Sequence, residues 1–233
     1  VEELEDNRVN IDIKISEGLA ALIKQINIVG NTVYKDEDLL EVFTLEQPET
    51  VIGIDFDGDQ YSRPVLTGDQ EKLKSYYQDR GYINFKISST QVSISPDKKD
   101  IYITINVDEG EQFRVEKVDL TGDFVFTEDD IRSKITLKPG DVFSNGAMVG
   151  SKTAISKMLG DEGYAFARVN VVPEQNKEEK TVKLTYVVQP GKKAYIRRIN
   201  FSGNSKSTDR VLRQEMRLME GAPRGALVEF SPV

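Results

Sequence analysis

Ile101-Tyr102-Ile103-Thr104-Ile105-Asn106-Val107-Asp108-Glu109-Gly110 alternates apolar and polar side chains and then turns at glycine. That is the pattern of a β-strand with one buried face. Displaced by 92 residues toward the N-terminus, the pattern falls on Val9-Asn10-Ile11-Asp12-Ile13-Lys14-Ile15, followed by Gly18. Displaced by 81 toward the C-terminus, it falls on Val182, Leu184, Tyr186 and Val188, followed by Gly191. One strand type recurring at this spacing is the mark of a repeat architecture.

Working outward, a second strand follows each glycine: Ile23, Ile26 and Ile28 match Val115, Val118 and Leu120, then Ile196, Ile199 and Phe201. Each copy then turns at Gly30-Asn31, Gly122-Asp123 or Gly203-Asn204, pairs that tolerate positive φ and stop a strand sharply. A short helix is predicted next. In the middle copy Thr127 precedes Asp130 and Ile131 in the manner of a capping box. In the third, Thr208 and Asp209 precede Val211, Leu212, Met216 and Met219.

A longer helix follows, in which Leu66, Leu73, Tyr76 and Tyr77 match Met148, Ile155, Met158 and Leu159 as one apolar stripe. Gly81 and Gly163 are its expected stops, each succeeded by a tyrosine. Phe85 to Ile94 and Ala167 to Val172 then lead by polar turns into the strand type described first. The unit is strand, helix, helix, strand, strand. Two units are complete, at about 20–110 and 112–191, joined by linkers short enough to restrict their angles.

Composition narrows the chemistry. The chain has 233 residues, 38% apolar and 30% charged, with no cysteine and no histidine. Disulfides, thiolate chemistry, Ser/His/Asp and Cys/His constellations and the common zinc sites are excluded. Net charge is −8, yet from Pro190 onward nine Lys/Arg face four Asp/Glu. Acidity over the rest argues against a nucleic-acid partner. No apolar run approaches the ~20 residues of a membrane span, and no signal peptide opens the chain. The first strand has almost nothing before it to pair with, so the sequence reads as a fragment.

The Gly-Asn turn, the Arg80-Gly81-Tyr82 and Glu162-Gly163-Tyr164 helix ends, and the terminal Val107-Asp108-Glu109-Gly110 and Val188-Gln189-Pro190-Gly191 resemble a POTRA domain. Longer stretches resemble the BamA family of bacterial outer-membrane β-barrel assembly factors: residues 23–31 (IKQINIVGN), 76–82 (YYQDRGY) and 213–221 (RQEMRLMEG). The likeness covers nearly the whole chain. It implies an α+β fold of tandem POTRA modules, each β-α-α-β-β with a three-stranded mixed sheet covered by two helices. Residues 1–18 would then be the last strand of a second module, 20–110 the third, 112–191 the fourth and 193–233 the start of a fifth, with a membrane barrel downstream. Residues 204–233 are expected to pack poorly alone, and 49–59 fit the family only loosely.

By the same resemblance the protein is a non-enzymatic periplasmic scaffold, attached to the outer membrane through that barrel, that binds unfolded outer-membrane protein precursors. Clients would add as a strand along Phe85, Ile87, Ser89, Thr90, Val92 and Ile94. This stretch lacks lysine or proline guards between Ile87 and Pro96. Arg213, Arg217 and Glu220 would dock a periplasmic lipoprotein of the assembly complex. No cofactor or metal is expected. Asp55-Phe56-Asp57-Gly58-Asp59 has glycine at the fourth place, not the sixth, and Leu66 where a calcium loop needs glutamate. Carboxylate clusters such as Glu128-Asp129-Asp130 read as caps, and Tyr76, Tyr77 and Tyr82 as core. The alternatives are the POTRA region of a related outer-membrane secretion transporter, a cell-division POTRA protein, an enzyme using carboxylates alone, and an adhesin stalk.

Overall fold

A computed structural model describes residues 2–4, 8–10, 21–51, 54–56, 58–195, 199–200, 203 and 210–212. At the N-terminus β1 (Glu2–Leu4) pairs antiparallel with β2 (Arg8–Asn10). The opening strand read from sequence therefore does have a partner before it, because the chain doubles back within a few residues. Its remainder, residues 11–15, lies outside the described residues.

The first complete repeat runs β3 (Leu22–Val29), α1 (Asp36–Leu40), β4 (Glu49–Val51), β5 (Ile54–Phe56), α2 (Arg63–Gln78), β6 (Lys86–Ile94) and β7 (Asp100–Asp108). The second runs β8 (Arg114–Gly122), α3 (Glu128–Arg132), α4 (Asn145–Asp161), β9 (Arg168–Asn176) and β10 (Thr181–Gln189). Their sheets have the orders β3-β7-β6 and β8-β10-β9, so the last strand in sequence is the middle strand in space. β7 lies parallel to β3 and β10 parallel to β8, while β9 is antiparallel to β10. A parallel pair needs a crossover, and the two helices supply it. The expected mixed three-stranded sheet is what forms.

Both parallel ladders carry the same irregularity. The register skips Lys24 between Ile23 and Gln25, and skips Glu116 between Val115 and Lys117. This bulge turns the three-residue step from Ile23 to Ile26 into a run of inward-facing side chains. Ile23, Ile26 and Ile28 are all buried, as are Ile101, Ile103, Ile105 and Val107.

Local chemistry sets the helices. The Thr127 hydroxyl accepts the Asp130 N–H and donates to the Asp130 carboxylate, capping α3. Ser144 caps α4 through the Ala147 N–H. Leu66, Leu73 and Tyr77 on α2, and Ile155 and Leu159 on α4, form the buried stripes. Gly81 and Gly163 stop those helices at φ 95 and 94, and the N–H groups of Tyr82 and Tyr164 reach back to Tyr77 O and Leu159 O.

One position on the longer helix ties each repeat together. Asp69 on α2 is fully buried, and its carboxylate accepts the N–H groups of Thr44 (2.8 Å) and Leu45 (2.9 Å). In the second repeat Ser151 accepts the N–H of Thr136 at 3.1 Å, beside the buried Leu137. Lys72 pairs with Asp69 at 3.0 Å and also reaches the Thr44 hydroxyl. Burial alone would raise the Asp69 pKa. The N–H groups of Leu45 and Thr44 and the Lys72 ammonium outweigh it and hold the carboxyl below its ordinary 3.8.

The smaller Ser151 is accompanied by a larger neighbour. Where the first repeat has Ile105 on its central strand, the second has Tyr186, wholly buried. Its hydroxyl makes no hydrogen bond among the described residues. Ser151 comes near, but it donates to Ala147 O and bonds to Thr136 instead. Burial pushes the Tyr186 hydroxyl above its ordinary 10.0.

By contact the chain forms two compact units, one of residues 1–73 with 87–108, the other of residues 74–86 with the described residues from Glu109 onward. The end of α2 thus belongs with the second sheet. The Asp79 carboxylate accepts the Gly146 N–H at 2.6 Å and the Ser144 hydroxyl at 3.2 Å, at the N-terminus of α4. Phe113 N–H donates to Gly81 O, Gln112 to Arg80 O, and the Tyr77 hydroxyl to the buried Glu109 at 2.8 Å. A Cβ on Gly81 would lie within 3 Å of Gln112, Val142 and Phe113.

Two stability predictions follow from these cores. Asp69→Ala leaves two backbone donors unsatisfied and should lower stability by about 3 kcal/mol at neutral pH. Because the folded pKa is depressed, that stabilisation is complete above the ordinary 3.8 and is lost as pH falls through the lowered value. Denaturant melts in an acid series should therefore show the gap between variant and natural protein closing below about pH 4. Tyr186→Phe removes a buried hydroxyl that makes no bond, so its Tm should equal or exceed that of the natural protein.

Candidate functional site

The site is built from β6 and the turn that follows it. Ser95 N–H donates to Asp100 O at 2.9 Å, and the Ser95 hydroxyl bonds to the Asp97 carboxylate and accepts the Asp100 N–H. The Ser95 hydroxyl, and after it the Lys99 N–H, hold the Asp97 carboxyl below its ordinary value. Lys98 takes a positive φ of 60 to complete the turn. This turn fixes the register of β6 on β7.

Counting six residues from each side of the turn brings Ser89 opposite Asn106, and the Asn106 amide does donate to the Ser89 hydroxyl at 2.9 Å. In an antiparallel ladder, hydrogen-bonded and non-hydrogen-bonded pairs alternate. Since Ser95 N–H points to β7, so do those of Ser93 and Gln91. Ile94, Val92 and Thr90 then direct their N–H and C=O groups away from β7, toward the open side of the sheet. β6 is an edge strand of its sheet.

The same alternation sorts the side chains. Thr90 accepts a hydrogen bond from Gln70 of α2 at 2.8 Å, so Thr90, Val92 and Ile94 lie on the helix-covered face. Val92 is 42% exposed and Ile94 55% exposed. Ser89, Gln91 and Ser93 occupy the opposite face and are exposed. The result is an edge with three main-chain positions unpaired among the described residues, an apolar border on one face and a polar border on the other.

Of the residues assigned to this strand from sequence, Thr90, Val92 and Ile94 come together as the outward-directed set, Ser89 sits on the far face, and Ile87 is half-buried. Phe85 has to be corrected. It precedes β6, and its ring is buried and stacked on Tyr77 at 4.2 Å, so it offers nothing to a partner. Sequence reading also passed over Gln70, which fixes the face, because its partner is twenty residues away. The hairpin turn was the signal that could have given the parity. Arg213, Arg217 and Glu220 lie outside the described residues.

Tyr77 and Tyr82 are buried, as expected, with Tyr82 edge-on to Tyr77; Tyr76 is only half-buried, outside the core, with the Arg80 guanidinium over its ring. In the acidic stretch, Asp55 and Phe56 end β5, and Asp59 makes structural hydrogen bonds. Asp59 O accepts the Ile23 N–H and its carboxylate accepts the Glu46 N–H, as Asp141 does for Val115 and Lys138. The loosely fitting segment is an insertion between these shared bonds, and it folds as the antiparallel pair β4–β5. Among the described residues, no cluster of three or more His, Cys, Asp or Glu could hold a metal ion, and no helix is long and apolar enough to cross a membrane.

The family model for POTRA, the surface antigen variable number repeat, matches residues 21–110, 113–191 and 194–224. The chain is 35% identical over 96% of its length to the outer membrane protein assembly factor BamA of Neisseria meningitidis serogroup B, and 30% identical over 93% of its length to that of Buchnera aphidicola. It spans 28% and 35% of the lengths of these two relatives. A crystal structure of Haemophilus influenzae BamA POTRA3-5 superposes with a TM-score of 0.75 at 27% identity, over 88% of this chain and 80% of that one.

Proposed function

This chain belongs to the POTRA family, and from that premise we propose that it is a non-enzymatic periplasmic segment of an outer-membrane protein assembly factor that receives unfolded β-barrel precursors by strand addition at β6. The observation that carries the reading is the edge itself: Thr90, Val92 and Ile94 turn their main-chain groups outward on a strand with no charged residue or proline between Ile87 and Ile94. Main-chain pairing demands little of the client's sequence, which suits a scaffold that handles many precursors. Likeness to BamA relatives over more than nine-tenths of the chain supports the assembly role. The lack of histidine and cysteine supports a role without catalysis.

The module boundaries proposed are 20–110 and 112–191, flanked by the end of an earlier module at 1–18 and the start of a later one from 193. A downstream membrane barrel would hold the assembly at the outer membrane. Arg213, Arg217 and Glu220 are proposed to dock a periplasmic lipoprotein of the assembly complex.

Adding a denatured outer-membrane β-barrel protein to the labelled chain should shift the amide resonances of Thr90, Val92 and Ile94. Val92→Pro should weaken the interaction about tenfold or more while leaving amide dispersion native, because it removes one outward N–H worth about 1.5 kcal/mol in the added ladder. Binding undiminished by that substitution would sink the strand-addition reading. For the lipoprotein, charge reversal by Glu220→Lys should reduce co-purification from periplasmic extract, and unchanged recovery would count against the assignment.

A further inference from the structure

The two repeats do not offer equal edges. β9 is the edge strand of the second sheet, as β6 is of the first. Its register on β10 is unbroken from Asn176↔Thr181 through Pro173↔Leu184 to Arg168↔Gln189. Counted from the hairpin turn, Asn176 and Thr181 stand where Ser95 and Asp100 stand in the first repeat. Pro173 therefore occupies the ladder position of Val92.

A proline in mid-ladder is tolerated only where its missing N–H would point away from the neighbouring strand. The unbroken register meets that condition, and it agrees with the parity derived independently for β6. Pro173 costs the second sheet nothing, and it deletes the central donor of the outward set. The remaining outward positions, Val171 and Gln175, flank a ring that fills the space an added strand would need. Gln175 is further engaged, accepting a hydrogen bond from Asn84 at 3.1 Å.

We propose that Pro173 closes β9 to strand addition, so that of these two hairpin edges only β6 takes extended clients, and that β6 selects segments whose side chains alternate apolar and polar. The selection follows from the borders of that edge. An added strand sets one face beside the exposed Val92 and Ile94 and the other beside Ser89, Gln91 and Ser93. A segment alternating in phase buries apolar surface on one side and keeps its polar side in water. Strands destined for a membrane barrel have this alternation. The proposal rests on the strand-addition reading given above.

The test is an amide-shift titration of the natural chain with a synthetic peptide as long as β6 that alternates valine and serine, and with a shuffled peptide of the same composition. The alternating peptide should shift Thr90, Val92 and Ile94, leave Val171 and Gln175 unmoved, and bind about tenfold more tightly than the shuffled one. In Pro173→Val, whose fold is checked by retained amide dispersion, the β9 amides should respond as well. A response at β9 in the natural chain, silence at β9 in Pro173→Val while β6 responds, or equal binding of the two peptides would overturn the proposal. Silence at both edges would overturn the strand-addition reading itself, and this inference with it.

Discussion

Each repeat depends on its last strand becoming its middle strand. β7 and β10 carry the most deeply buried apolar runs in their sheets: Ile103 and Ile105 in one, and Val182, Leu184, Tyr186 and Val188 in the other, have no exposed surface. Placing that strand centrally forces a parallel pairing with β3 or β8, and a parallel pairing demands the crossover that the helices provide. The hairpin that delivers the central strand must then lie on the outside. An open edge is the consequence of the topology, present in both sheets before any side chain is chosen.

Within that shared frame the two repeats solve the same packing problems with different residues. The tie from the longer helix to the backbone after the short helix is a carboxylate in one, Asp69, and a hydroxyl in the other, Ser151. The repeat with the bulkier tie has Ile105 on its central strand and the one with the slimmer tie has Tyr186, an exchange in keeping with close packing. At the helix ends the buried Tyr77–Glu109 hydrogen bond of the first repeat has as its counterparts Leu159 and Pro190, both buried and apolar. Polar pair is exchanged for apolar pair, and neither is left half-satisfied.

In the proposed reading, function in such a frame comes from what is done with the edge. An unguarded edge strand is an aggregation hazard, and proteins usually blunt it. Here the second sheet is blunted by proline at an outward position, and the first is left open with an amphipathic border.

Much of this was legible in the sequence. The three alternating strands, the glycine stops and the apolar helical stripes fixed the element order, because period and turn chemistry act over a few neighbouring residues. The loose fit of residues 49–59 to the family already marked the stretch where the two repeats differ. The step of three from Ile23 to Ile26 held the bulge. Unreadable were the facts that depend on partners distant in sequence: that β4 and β5 pair, that Phe85 turns inward onto Tyr77, that Asp69 holds Thr44 and Leu45, and that the end of α2 belongs with the second sheet through Asp79 and Gly146. The sequence by itself determined that a strand runs from about Phe85 to Ile94 and is the sort that could accept a partner. Only the tertiary structure decided which of its residues face outward, because hydrogen-bond parity belongs to a pair of strands and is set where the Ser95–Asp100 turn locks one against the other.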